Sequence, residues 1–208
     1  MDARLSGRML IASVEVLTVA IASQGCGRAD RVFHSTMDSP VGRLWLASTP
    51  EGLVKVALPG EGGDRFLAWL ALKFPRAVPV PAAGENAEFH AQLDEYFMGT
   101  RSAFDCRIHL TVSAFVRRVL EETRRIPYGA TASYGEVAAA VGTPLAARAV
   151  GKALATNPLP IIIPCHRVVG KDGSLVGFGG GLALKEWLLA HERRVSCASR
   201  TQTQPALA

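Results

Sequence analysis

Cys165 and His166 stand side by side in the segment Asn157-Pro158-Leu159-Pro160-Ile161-Ile162-Ile163-Pro164-Cys165-His166-Arg167-Val168. A thiol beside an imidazole can do nucleophilic chemistry, because the base can take the thiol proton and lower its pKa. Pro164 fixes the backbone just before the thiol. The triple Ile run reads as a buried strand or a rigid apolar segment. In an extended segment adjacent side chains point opposite ways, so cooperation between the two needs a turn or a bridging water. A third group is expected to orient the imidazole, and the helical stretch LALKEWLLAHE offers Glu186 and Glu192.

Adjacency alone is weak evidence, since a buried Cys is more often a small hydrophobe and a buried His a satisfied core residue. The other cysteines, Cys26, Cys106 and Cys197, make no CxxC pair. His34, His90, His109 and Cys106 lack ligand-like spacing, so no metal site is expected. Scattered cysteines fit a reducing compartment.

The elements that must position these groups divide at about residue 110. RVFHSTMDS, RLWLAS and GLVKVAL read as three short strands, with turns at Pro40-Val41-Gly42 and Pro50-Glu51-Gly52. DRFLAWLALKF reads as a helix, and Pro75, Pro79 and Pro81 mark a loop. ENAEFHAQLDEYFMG reads as a helix with Phe89, Leu93 and Phe97 on one face, ended by Gly99. AFDCRIHL reads as a last strand. This half shows no chemistry of its own.

The second half is helical. VSAFVRRVLEETRRI carries Phe115, Val116, Val119, Leu120 and Ile126 on one stripe. Ser133 reads as the N-cap of YGEVAAAVG, with Glu136 completing a capping box. ARAVGKALAT follows after Gly142-Thr143-Pro144, and two short helices joined by a tight turn fit a helix-turn-helix. The tail after Glu192 reads as disordered.

At 208 residues the chain can bury a real core, and 49% hydrophobic content excludes a disordered or fibrous protein. The formal net charge is +5. Residues 111–208 hold twelve Lys and Arg against six Asp and Glu, so the basic excess lies wholly in the C-terminal half and hints at a polyanion. In residues 1–30 an apolar run faintly resembles a secretory signal, but Glu15 interrupts it and leaves it too short to span a bilayer. It is read as an extension of unknown role.

IPYGATASYGEVAAAVG, ARAVGKALATNPLPIIIPCHRVVG and GGGLALKEWLLAHE, in that order, resemble the O6-alkylguanine-DNA alkyltransferases. The resemblance covers roughly Arg31 to Arg194. It implies an α/β + α fold: a small ribonuclease-H-like α/β domain at 31–110, then a helix-turn-helix DNA-binding and catalytic domain at 111–194. Residues 195–208 remain as a disordered tail. It implies that Cys165 accepts the alkyl group from O6-alkylguanine in duplex DNA, with O4-alkylthymine as a further candidate lesion, in a single irreversible turnover. His166 matches the histidine that deprotonates the thiol through a water, and Glu192 the acid that orients it. Asn157 matches the asparagine supporting the active-site turn. Tyr134 matches the tyrosine that helps rotate the nucleotide and can donate to the guanine.

Arg148 matches the arginine inserted into the base stack, although by itself it reads equally as a phosphate contact. Ala147, Ala149, Gly151 and Lys152 share its helix, whose small residues would let it approach a minor groove, or equally another helix. Lys185, Phe178 and Val168 complete the implied substrate and DNA contacts. No cofactor is implied, the expected state is a monomer, and the expected location is cytoplasmic. Two positions depart from the family pattern. Phe178 replaces a common tyrosine, and Gly179 stands where others carry Ser or Ala. A roomier pocket and tolerance of alkyl groups larger than methyl are expected. A helix-turn-helix regulator sensing alkylation through Cys165 is the alternative reading.

Overall fold

The computed structural model describes residues 31–202; the extension at residues 1–30 lies outside them. The alternating pattern of the first half builds β1 (Arg31–Met37), β2 (Leu44–Thr49) and β3 (Gly52–Ala57) as an antiparallel meander. A fourth strand, β4 (Val78–Pro81), runs parallel to β1, giving the order β3-β2-β1-β4. The expected proline loop is therefore partly strand. Pro79 and Pro81 cannot donate to a ladder, and β4 is an edge, where that loss is tolerated.

The two faces of the sheet bury different things. Trp45, Ala47, Val54 and Ala57 face α1 (Gly63–Lys73), which inserts Phe66 and Leu70. Leu44, Leu46, Leu53 and Val56 join the main core, with Phe89, Leu93 and Tyr96 of α2 (Ala87–Met98). The buried stripe of α2 is Phe89, Gln92, Leu93 and Tyr96, so Tyr96 takes the place expected for Phe97, which is only partly buried. Gly99 ends α2 in the left-handed region at φ 77°.

AFDCRIHL is not a full strand. It makes one bridge, Ile108 to Leu53, with hydrogen bonds to both backbone groups of Leu53. Its role is to cover the exposed edge of β3. The N–H of Val56 on that edge donates to Pro158 O at 2.8 Å, tying the sheet directly to the segment before Cys165.

The second half packs α3 (Ala114–Arg124), α4 (Tyr134–Ala140) and α5 (Ala147–Ala155) against one another. The capping box at Ser133 and Glu136 is present. A two-residue parallel pair joins β5 (Ala132–Ser133) to β6 (Val168–Val169). The last helix, α6 (Leu182–Gln202), continues past Glu192, so the expected disordered tail is helical as far as Gln202, and residues 203–208 lie outside the described residues. The side chain of Val195 lies against Gly99, so packing on the end of α2 supports the extra turns. One core cluster runs from Met37 to Leu188 and joins both halves. No described helix is long and apolar enough to cross a membrane.

Candidate active site

The Ile run forms a tight loop rather than a strand. Ile163 N donates to Leu159 O, Cys165 N donates to Ile163 O, and Ile161 sits fully buried at φ 74°. A β-branched residue in that region costs about 1–3 kcal/mol and persists only where its surroundings dictate it. Asn157 is the dictating group. Its Oδ1 accepts from Leu159 N at 3.0 Å and its Nδ2 donates to Ile163 O at 3.0 Å. The same Nδ2 donates to Cys165 Sγ at 3.2 Å.

Cys165–Arg167 is a single 3-10 turn, which resolves the problem of adjacent side chains. Cys165 remains partly exposed, whereas His166 is wholly buried. His166 Nε2 donates to Glu192 Oε1 at 2.7 Å. Glu186 is exposed on α6 and takes no part. Glu192 is itself encircled: Arg167 Nε reaches Oε2 at 2.9 Å and Arg167 NH2 reaches Oε1 at 3.0 Å. Gly129 N donates to Oε2 at 3.0 Å, and Tyr96 OH donates to Oε1 at 2.9 Å. None of Arg167, Gly129 or Tyr96 stood out in the sequence as a site residue. Arg167 sits within the PCHRV run, but nothing local marks it as a partner of Glu192.

The electrostatics follow from burial. Desolvation pushes the Glu192 carboxyl up, but the hydrogen bonds and charges of His166 and Arg167 outweigh it and bring it down to about 2. Desolvation lowers His166 despite Glu192. Desolvation also raises the Cys165 thiol, against the Asn157 hydrogen bond and the Lys185 charge. Burial thus outweighs the groups that favour the thiolate, among them the backbone N–H of His166, and a neutral imidazole adds no cation beside the sulfur. His166 Nδ1 is buried with no hydrogen-bond partner among the described residues.

Cys165 opens on a cavity of about 300 Å³ that Asn157, Pro160, Phe178 and Gly179 share. The opposite wall comes from the first domain, with Lys55, Val56, Leu58 and Glu61 among its residues. That half therefore carries part of the site, contrary to the expectation that it shows no chemistry. Tyr134 OH donates to Val176 O at 3.0 Å, and desolvation raises its pKa. Lys185 is buried, donating to Val168 O at 2.6 Å and Val176 O at 2.8 Å, with its ammonium 5.9 Å from the Tyr134 ring. It braces the site from behind and has no surface for DNA, which corrects its expected contact role. Val168 is likewise wholly buried in β6.

Arg148 and Lys152 are exposed on α5, while Ala147, Ala149 and Gly151 are half-buried. Gly151 faces the Tyr134 ring, and a Cβ there would meet it at 3.7 Å. Among the described residues no group of three or more His, Cys, Asp or Glu could hold a metal ion.

Residues 32–110 match the family described as 6-O-methylguanine DNA methyltransferase, ribonuclease-like domain, and residues 114–194 its DNA binding domain. A methylated-DNA–protein-cysteine methyltransferase of Mycolicibacterium paratuberculosis is 43% identical over 169 residues, 81% of this chain and 96% of that one. The inducible enzyme of that name from Bacillus subtilis is 36% identical, over 74% of this chain and 86% of its own. The crystal structure of Mycobacterium tuberculosis O6-methylguanine methyltransferase superposes with a TM-score of 0.70 at 38% identity, covering 83% of this chain and 99% of that one. Mycobacterium tuberculosis OGT in complex with DNA gives 0.69 at 38% identity, over 78% and 94%. With both halves matched in order and relatives this similar along most of its length, the chain belongs to the 6-O-methylguanine DNA methyltransferase family.

Proposed function

We propose that this chain repairs DNA by direct reversal, taking the alkyl group of O6-alkylguanine in duplex DNA onto Cys165 and being consumed in the act. The observation that carries this reading is the placement of Sγ at a cavity lip, with Asn157 donating to it and a buried His166–Glu192 pair next in the chain. Glu192 stays ionised and holds the Nε2 proton, which leaves Nδ1 as the basic atom. Burial keeps both thiol and imidazole neutral at rest. Proton transfer from Sγ to Nδ1, through a water, therefore accompanies the attack.

The sulfur–carbon bond forms as the carbon–O6 bond breaks, and the electron pair leaves with guanine, which takes a proton. Tyr134, held protonated by burial, supplies a hydrogen bond once its hydroxyl leaves Val176 O. The product thioether has no easily hydrolysed bond, so the protein acts once. The target base must leave the stack at a cost of a few kcal/mol; the exposure of Arg148 at the start of α5 supports its filling the gap. The relatives' names and the DNA-bound neighbour support DNA as the partner, and a DNA substrate makes the cytoplasm the place of action, at the nucleoid in a bacterial source.

The test is transfer from a duplex carrying labelled O6-methylguanine. Label should move to protein at up to one per chain, and Cys165→Ala should abolish it. Transfer surviving in that variant, or continued turnover by the unaltered protein, would overturn the reading.

A further inference from the structure

We propose that Tyr96, on α2 of the first domain, is a positioning residue for the His166–Glu192 pair and sets the pH range over which His166 can act as base. The proposal rests on the reading of Cys165 and His166 given above. Tyr96 is fully buried, and its hydroxyl donates at 2.9 Å to Glu192 Oε1, the same oxygen that accepts from His166 Nε2. The ring is locked on all sides. Phe97, Phe104, Tyr128 and His191 lie with centroids 5.4, 5.5, 5.9 and 5.5 Å away. Its backbone carbonyl accepts from His191 Nε2 on α6 at 2.9 Å. The donor is therefore preorganised by two elements and spends nothing on ordering when the reaction begins.

A donor on Oε1 disperses carboxylate charge that would otherwise stabilise a protonated imidazole. The charged and titratable groups facing Glu192 are His166, Arg167, Tyr96 and Tyr128; those facing His166 are Glu192, Arg167 and Lys185. Arg167 and Gly129 donate to Glu192 independently of the Tyr96 hydroxyl. Its loss leaves Glu192 ionised but a stronger partner for His166⁺. Imidazole then stays protonated to higher pH, and the acid side of the transfer-rate profile moves upward.

Tyr96→Phe keeps the ring and removes only the hydroxyl. The measurement is the single-turnover transfer rate from pH 5.5 to 8.5 for the full chain, Tyr96→Phe, His166→Gln and the double variant, with melting curves and affinity for undamaged duplex. We expect Tyr96→Phe to lose about three- to tenfold at pH 6 relative to its own rate at pH 8, with duplex affinity unchanged. In the His166→Gln background the change should vanish. A Tyr96→Phe profile superimposable on the original overturns the proposal and leaves the site reading intact. A shift that persists without His166 overturns it too, because Tyr96 then acts through another group. If His166→Gln alone keeps the original rate and profile, the site reading fails and takes the proposal with it.

Discussion

Cys165 is partly exposed while His166, the next residue, is wholly buried, because a 3-10 turn sends consecutive side chains to different surroundings. The turn depends on Asn157, whose amide satisfies two backbone groups and the sulfur at once. Asn157→Ala should slow transfer by at least tenfold and lower stability by about 1–3 kcal/mol, read from single-turnover rates and urea midpoints. A variant with the full rate would show that the thiol is placed without it. At the cavity lip, a Cβ on Gly179 would meet nothing within 4 Å, and Phe178 offers an aromatic wall. Transfer from O6-benzylguanine in duplex DNA should therefore be faster than from O6-methylguanine, and an equal or slower benzyl rate counts against a roomy pocket. Asn157, Cys165, His166 and Glu192 were legible in the sequence because they lie in ordered motifs. Tyr96, Arg167 and Gly129 were not, because their roles exist only through one shared carboxylate.

Among the elements, periodicity and capping chemistry marked the helices well. The Ser133–Glu136 box starts α4 at Tyr134, fixing where that side chain enters the site. The errors fell where long-range packing overrides local preference. β4 forms from a proline-rich stretch because β1 offers it an edge, and α6 continues to Gln202 because Val195 rests on Gly99. On α5, Arg148 is exposed one residue into the helix. If it fills the place of an extruded base, Arg148→Ala should slow transfer from duplex DNA strongly. Transfer from free O6-benzylguanine, which needs no extrusion, should change little. Equal losses on both substrates would reduce Arg148 to a residue of the site itself, and intact duplex transfer would remove it from the mechanism.

For the whole molecule, buried titratable groups set the pH range of stability. Burial lowers His34, His90 and His166 from 6.5, so the folded chain binds fewer protons than the unfolded one below that value. Their contribution is full above about 6.5 and declines as pH falls. Glu192, lowered from 4.5 to about 2, adds a further loss only as pH falls from the first value through the second. Burial raises Cys106 from 9.0 to about 11 and raises Cys165 as well, so their contribution is full below 9 and lost as pH rises through the folded values. Urea midpoints should be flat between about 6.5 and 9 and fall on both sides; a maximum below pH 6 would sink this account.

Of the basic residues in the second half, α4 and α5 carry only Arg148 and Lys152, against Glu136. By itself the sequence set Cys165 beside His166 and ordered the elements of the two halves, because adjacency and short-range periodicity are local, while the roles of nucleophile and base came from the resemblance that its ordered motifs carry. The tertiary structure alone decided that the first domain completes the site. A hydrogen bond between Tyr96 and Glu192 spans 96 residues. Such a pair is set by how two cores merge, and no local spacing encodes it.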